Sequence, residues 1–415
     1  MIDFSRFSLE NGLRILVHED RSTPLVAMSL LYDAGSRDED PDLTGLAHLF
    51  EHLMFGGTSE IPDFDTQLQL AGGESNAFTT PDLTNFYITV PASNIETAFW
   101  LESDRMNCPD FSSKNLEIQK KVVIEEFNQR YMNMPYGDAM LILRPMAYKV
   151  HPYRWTAIGS DPSHVKNASL SDIRNFFFSH YAPNKAILSL AGNITPGKAL
   201  TLTEKWFGNI ERRKIKKRIL TSEPRQNKER AIVLERDVPA SALYKAWHTG
   251  PRTGNDFYTC DMITDILAGG ESGRLYNRLV RQRKFFSEID AYITSDIDPG
   301  LIIIHGKLMK DRDFMKAEES IYEIIDDLKK GLVSTGEMAK VKNKFESSIA
   351  VANTSVLNKA LNLSYFELLG NPDLINNETD LYKRIDKSMV ADIACKYLTR
   401  SNCSTIYYKS INCKQ

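Results

Sequence analysis

Three side chains within five residues, His48-x-x-Glu51-His52, have the types and spacing to share one metal ion. With eight histidines among 415 residues, chance supplies this pattern in about one such chain per hundred. It lies in Asp42-Leu-Thr-Gly-Leu-Ala-His-Leu-Phe-Glu-His-Leu-Met-Phe-Gly-Gly, whose apolar spacing predicts a helix. At ~100° per residue, Leu46, Leu49, Phe50 and Leu53 form one stripe that can face a core. His48, Glu51 and His52 gather on the opposite side. Two imidazoles four residues apart on one helical face can reach a single Zn²⁺. A carboxylate beside them is placed to accept a proton from a bound water.

A catalytic zinc takes a third protein ligand and keeps a fourth position open. The segment 113–131 reads as a long helix with Leu116, Val123 and Phe127 on its apolar stripe. Glu126 falls among Val122, Val123 and Phe127, where an unpaired carboxylate is costly. A buried cation removes that cost, so Glu126 is the expected third ligand. Glu125 lies about 180° from Leu116 and is expected on the surface. Gln119 shares the face of Glu126 and is expected to hydrogen-bond within the site. His18, His164, His180, His248 and His305 have no partner at ligand spacing and read as packing or surface residues.

The elements that must position these residues alternate between strand and helix. Leu13, Ile15 and Val17 mark a first strand after a turn at Asn11-Gly12, and Leu25–Tyr32 a second. Residues 85–90 and Ala186–Gly192 read as further strands. Hairpin-like strand pairs recur, which favours α+β layers over a doubly wound parallel sheet. The basic stretch 211–218 and the Pro-containing residues after it read as a solvated linker, rather than a targeting or nucleic-acid segment. Beyond it, residues 231–235, 242–247 and Gly250-Pro-Arg echo the opening strands and loop, a sign of duplication. Residues 311–330 read as a helix, and Ser334-x-x-Glu337 as a capping box opening another. The expected domains are 1–212, a linker over 213–228, and 229–415.

Composition excludes several classes. Fifty-one basic against 54 acidic side chains give a net charge of −3, so no global field recruits nucleic acid or an anionic membrane. No apolar run approaches the ~18–20 residues of a membrane helix. Cys108, Cys260, Cys395, Cys403 and Cys413 are odd in number and scattered, which argues against a disulfide framework or thiolate metal site. Met1-Ile-Asp-Phe-Ser-Arg-Phe lacks the basic-then-apolar pattern of a secretion signal. A cytoplasmic chain is expected, or a periplasmic one if a leader has been removed.

The chain resembles the pitrilysin/insulinase-type zinc metallopeptidases, the inverted-motif zincins. The resemblance rests on His48-x-x-Glu51-His52 followed by Glu126, 74 residues past the second histidine. It extends through Ala34-Gly-Ser-Arg-Asp-Glu, Gly45-Leu-Ala-His, His52-Leu-Met-Phe-Gly-Gly-Thr, Gly73-Glu-Ser-Asn-Ala-Phe-Thr-Thr, Val122-Val-Ile-Glu-Glu and Tyr181-Ala-Pro-Asn-Lys-Ala. It implies two similar α+β halves, each a sheet packed with helices. In the short members, such as mitochondrial processing peptidase, two chains close into a hollow clam-like dimer that digests peptides inside. By the family pattern His48, His52 and Glu126 hold one zinc and Glu51 is the general base. Asn76, Ala77 and Phe78 lie in the segment resembling the edge strand to which an extended peptide adds by main-chain hydrogen bonds.

Two departures stand out. The family usually has a glutamate where this chain has Gln119. Fully equipped members also carry an arginine and a tyrosine seven residues apart in the second half, where alignment on Arg274-Leu275 and Leu279 places Val280 and Ser287. A one-residue slip would offer Arg281 but put Glu288 at the tyrosine position. The resemblance then implies a zinc-bearing subunit whose homologous partner supplies the pair, with a homodimer as the alternative. A zinc endopeptidase for unstructured peptides is the leading expectation. A non-catalytic structural or assembly subunit is the rival.

Overall fold

The computed structural model describes residues 1–58, 60–107, 109–215 and 218–411. Cys108, Cys413, Lys216 and Lys217 lie outside the described residues. Contacts divide the chain into two units. The first is Met1–Asn128, Trp155–Leu220 and Ala350–Asn377, and the second is Gln129–Arg154, Thr221–Ile349 and Glu378–Gln415. Segments 129–154 and 350–377 thus cross the contiguous boundaries read from the sequence.

The first unit is built on six strands: β1 (Ser5–Ser8), β2 (Arg14–Glu19), β3 (Leu25–Tyr32), β4 (Glu74–Thr79), β5 (Thr84–Pro91) and β6 (Ala186–Gly192). Their order is β1-β2-β6-β3-β5-β4. Only β2 and β6 run parallel. Every residue of β6 is buried, as its unbroken apolar sequence requires of a central strand covered on both faces. Alternation assigns those faces. Ala27, Ser29 and Leu31 meet the helix Val356–Leu368, where Ser29 and Ser364 share a 2.9 Å hydrogen bond. Tyr32 points to the opposite face, against Tyr181 and through it to Phe50 of the helix Leu46–Phe55.

The second unit holds β7 (Arg230–Arg236), β8 (Ala242–His248), β9 (Phe286–Ile293), β10 (Leu301–Leu308) and β11 (Cys403–Ser410), in the order β7-β11-β8-β10-β9. Here only β7 and β11 run parallel, as β2 and β6 do in the first sheet. Strand for strand this repeats β2-β6-β3-β5-β4, so the duplication suggested by sequence is present in the topology. The edge strands also share a local device. Glu74-Ser-Asn-Ala-Phe of β4 matches Glu288-Ile-Asp-Ala-Tyr of β9. In each, the alanine N–H donates at 2.8 Å to the side-chain oxygen of the residue before it, Asn76 in one and Asp290 in the other. The α+β class and the pair of sheet-and-helix domains are as expected.

Residues 213–215 and 218–228 carry no regular secondary structure, but the basic run is not simply solvated. Arg218 bonds the carboxylates of Asp38 at 2.6 Å and Asp33 at 2.9 Å. Arg213 donates to the carbonyl of Tyr181 at 2.6 Å and stacks over Phe177. Both arginines tie the strip to the first unit, a correction to the linker reading: charge repeats resemble a solvated face until their acidic partners are placed. Cys260, Cys395 and Cys403 are free thiols. Among the described residues, no helix is long and apolar enough to cross a membrane.

Candidate metal centre

The helix Leu46–Phe55 begins at Gly45, whose φ of 90° puts it in the left-handed region. A Cβ there would stand 2.6 Å from the carbonyl oxygen of Ile158, so both conformation and space demand glycine. Glycine offers no side chain to cap the first turn. Glu39 does so from the preceding loop, accepting the N–H groups of Gly45 at 2.9 Å and Ala47 at 2.8 Å. Burial pushes the Glu39 carboxyl up to about 8 against the opposing pull of those two donors.

The apolar stripe behaves as its spacing predicts, with Leu46, Leu49, Phe50 and Leu53 all buried. Phe50 packs against Tyr181 and Phe177, with ring centroids at 4.1 and 5.4 Å. This fixes the rotation of the helix and turns His48, Glu51 and His52 the other way. The helix Ser113–Phe127, opened by a Ser112 cap on Asn115 N–H, brings Glu126 to meet them.

Nε2 of His48 lies 3.1 Å from Oε2 of Glu126, Nε2 of His52 lies 3.2 Å from the same oxygen, and the two nitrogens are 3.3 Å apart. A tetrahedral zinc with bonds of about 2.0–2.1 Å separates its ligand atoms by about 3.3 Å. The triangle therefore fits such an ion, and the donor set of two imidazoles and one carboxylate suits zinc. Among the described residues this is the one His/Cys/Asp/Glu group so arranged. Glu51 stands beside it, its Oε2 at 3.6 Å from His48 Nδ1. Two carboxylates around two imidazoles attract positive charge. Burial disfavours a proton on His48, yet Glu126 and Glu51 together push it up to about 9. His52 moves down, through burial and then its charged neighbour His48. A proton and a metal ion thus compete for one place.

The other residues singled out from sequence are placed as follows. Glu125 is on the exposed side of its helix. The burial argument for Glu126 needs correcting: Val122 is 44% exposed and the Glu126 side chain 20%. Glu126 thus sits at the rim of the core, and its neighbours His48 and His52 account for its position. Gln119 is half-buried, two turns before Glu126 on the same helix. Asn76, Ala77 and Phe78 lie on β4, an edge strand. His18 bonds Asp3, His164 bonds Thr44, His248 bonds Ala147 and His305 stacks on Tyr244; His180 packs on Phe176. Sequence reasoning missed two residues that hold the site. Glu39 caps the helix, and Thr79 donates to Glu51 Oε2 at 2.5 Å. Strand alternation could have found Thr79, since it falls on the face opposite Asn76 and Phe78.

In the second unit, the helix Phe257–Ala268 follows β8 as Leu46–Phe55 follows β3, and it contains no histidine. Its Asp261 accepts the hydroxyl of Tyr382 at 2.6 Å. Val280 lies in the π-helical turn Tyr276–Gln282 and packs on the core of this unit, and Ser287 donates to the Lys307 carbonyl at 3.2 Å.

Two family models match the chain, "Insulinase (Peptidase family M16)" over residues 14–147 and "Peptidase M16 inactive domain" over residues 167–345. "Zinc protease PqqE" of Helicobacter pylori is 26% identical over 97% of this chain and 92% of its own length. "Probable mitochondrial-processing peptidase subunit beta, mitochondrial" of Arabidopsis thaliana is 22% identical over 82% of this chain and 66% of its own. A solved structure described as a protease from Helicobacter pylori has the same fold, with a TM-score of 0.93 at 24% identity, over 99% of this chain and 100% of that one. The matched segments, the repeated sheet order and the His48–His52–Glu126 triangle agree, and this chain belongs to the insulinase family of peptidases, family M16.

Proposed function

We propose that this chain is a zinc-dependent endopeptidase acting on unstructured peptides, and the catalytic subunit of a heterodimer that encloses its substrates. The observation that carries the reading is the His48–His52–Glu126 triangle with Glu51 beside it. These three residues would hold the ion, which when bound polarises a scissile carbonyl and lowers the pKa of water. Glu51 takes the proton of the attacking water and returns it to the leaving amine. β4 receives the peptide as an added strand. The Ala77 N–H, held meanwhile by the Asn76 side chain, passes to a peptide carbonyl and frees the Asn76 amide to bond the peptide. The relatives named zinc proteases support the reading.

The partner belongs to the same proposal. Val280 has no donor, and the Ser287 hydroxyl is engaged by Lys307. An arginine and tyrosine near the zinc would come from a homologous chain. The rival reading, a non-catalytic subunit, draws on that same gap. Glu51→Gln separates the two. The variant should keep about one zinc per chain and lose about 10²–10⁴-fold in cleavage of an unstructured peptide. Undiminished cleavage sinks the mechanism, and a chain that takes up no zinc favours the rival.

A further inference from the structure

A base works only when one of its oxygens is aimed at the proton it takes, and a glutamate on a helix has several torsions to settle. Thr79 settles one end: its hydroxyl donates to Oε2 of Glu51 at 2.5 Å. Oε1 is left as the oxygen without a protein partner among the described residues. Thr79 is itself well placed to anchor. It closes β4, pairs with Thr84 of β5, and shares the half-buried face of that strand with Ser75 and Ala77. Glu74, Asn76 and Phe78 occupy the exposed face. The strand proposed to receive the peptide main chain therefore also grips the carboxylate.

We infer that Thr79 is a positioning residue, holding Glu51 in the frame of the peptide-docking strand so that base and scissile carbonyl share one register. The inference rests on the peptidase reading above and adds to it a residue that touches neither metal nor substrate. A threonine serving only the sheet would be replaceable by valine, which has the same branching and strand preference. A positioning threonine would not, because valine has no donor.

The test compares zinc-loaded wild type, Thr79→Val and Thr79→Ser on an unstructured peptide. Thr79→Val should keep its zinc and its KM and lose about 10–100-fold in kcat, and Thr79→Ser should recover most of it. An unchanged kcat in Thr79→Val overturns the inference, as does a loss explained by missing zinc or by raised KM. If zinc-loaded wild type cleaves no peptide, the peptidase reading falls, and acetohydroxamate binding decides the role of Thr79 instead. This probe chelates zinc and hydrogen-bonds a neighbouring carboxylate. Thr79→Val should weaken its binding in the wild-type background and have no effect once Glu51→Gln is present. Equal weakening in both backgrounds overturns the inference.

Discussion

The carboxylate of Glu39 accepts the main-chain N–H of Ala47 at 2.8 Å, one residue before His48. A buried loop carboxylate thus finishes the first turn of the histidine helix, where Gly45 has no side chain to do so. Removing it strands two buried donors. Glu39→Ala should destabilise the first unit by about 1–3 kcal/mol and weaken zinc binding, because the turn carrying His48 frays. Denaturant unfolding and zinc titration together check this. Wild-type zinc affinity in a destabilised variant would show that the cap serves the fold alone.

Glu125 and Glu126 differ by one position and should differ sharply in effect. Glu126 Oε2 closes the triangle with both histidines, whereas Glu125 projects on the exposed side. Glu126→Gln should lower zinc affinity by at least about 10-fold, with Glu125→Gln within about two-fold of wild type. Competitive titration against a chelator of known affinity measures both. Equal effects would mean the third ligand has been misassigned.

What the sequence made legible follows from where the physics is local. Leu25–Tyr32 and Ala186–Gly192 are apolar runs with sharp ends and form strands at those bounds. The histidine helix is amphipathic, so its buried stripe also dictates where its polar face points. Contacts that depend on partners distant in the chain were illegible. Nothing within Val356–Leu368 says that it packs on β3 and β6, more than 150 residues before it. The acidic partners of Arg218 lie 180 and 185 residues away. Glu126 was found through a burial argument that overstated its surroundings, since Val122 is 44% exposed. The spacing was sound, but a helical wheel places a core on one side without locating its edge.

The proposed heterodimer has its own test. Val280 and Ser287 leave the second unit with no arginine–tyrosine pair at those positions, and the one-residue slip offers exposed Arg281 with Glu288 already bonded to Lys307 at 2.9 Å. The chain alone should therefore cleave peptide slowly. Adding a homologue of similar length that carries the pair should raise kcat/KM by at least about 10-fold, as expected where about 1.4 kcal/mol or more of transition-state contacts are missing. Steady-state kinetics over a titration of that homologue measures this. A chain as fast alone as in any mixture would return the homodimer to first place.

Acid should expose a carboxylate network within the second unit. Glu337 caps Ser334 through the main-chain N–H at 2.9 Å and bonds Arg274 at 2.7 and 3.0 Å. Burial raises its carboxyl, but Arg274 and the Ser334 N–H outweigh this and bring it down to about 2, from an ordinary value of 4.5. Between those two values the unfolded chain binds more protons than the folded one, so stability rises with pH across the window. The contribution is complete above pH 4.5 and lost as pH falls through 2. With the Glu337 side chain 30% exposed, solvent screening limits it to about 1 kcal/mol. Glu337→Gln should thus be less stable than wild type at pH 6, and the gap should close steadily toward pH 2.5. Thermal unfolding of both proteins across that range measures the gap. A difference that stays constant with pH would mean that the carboxylate contributes through its shape and hydrogen bonds, and that its charge on Arg274 adds nothing.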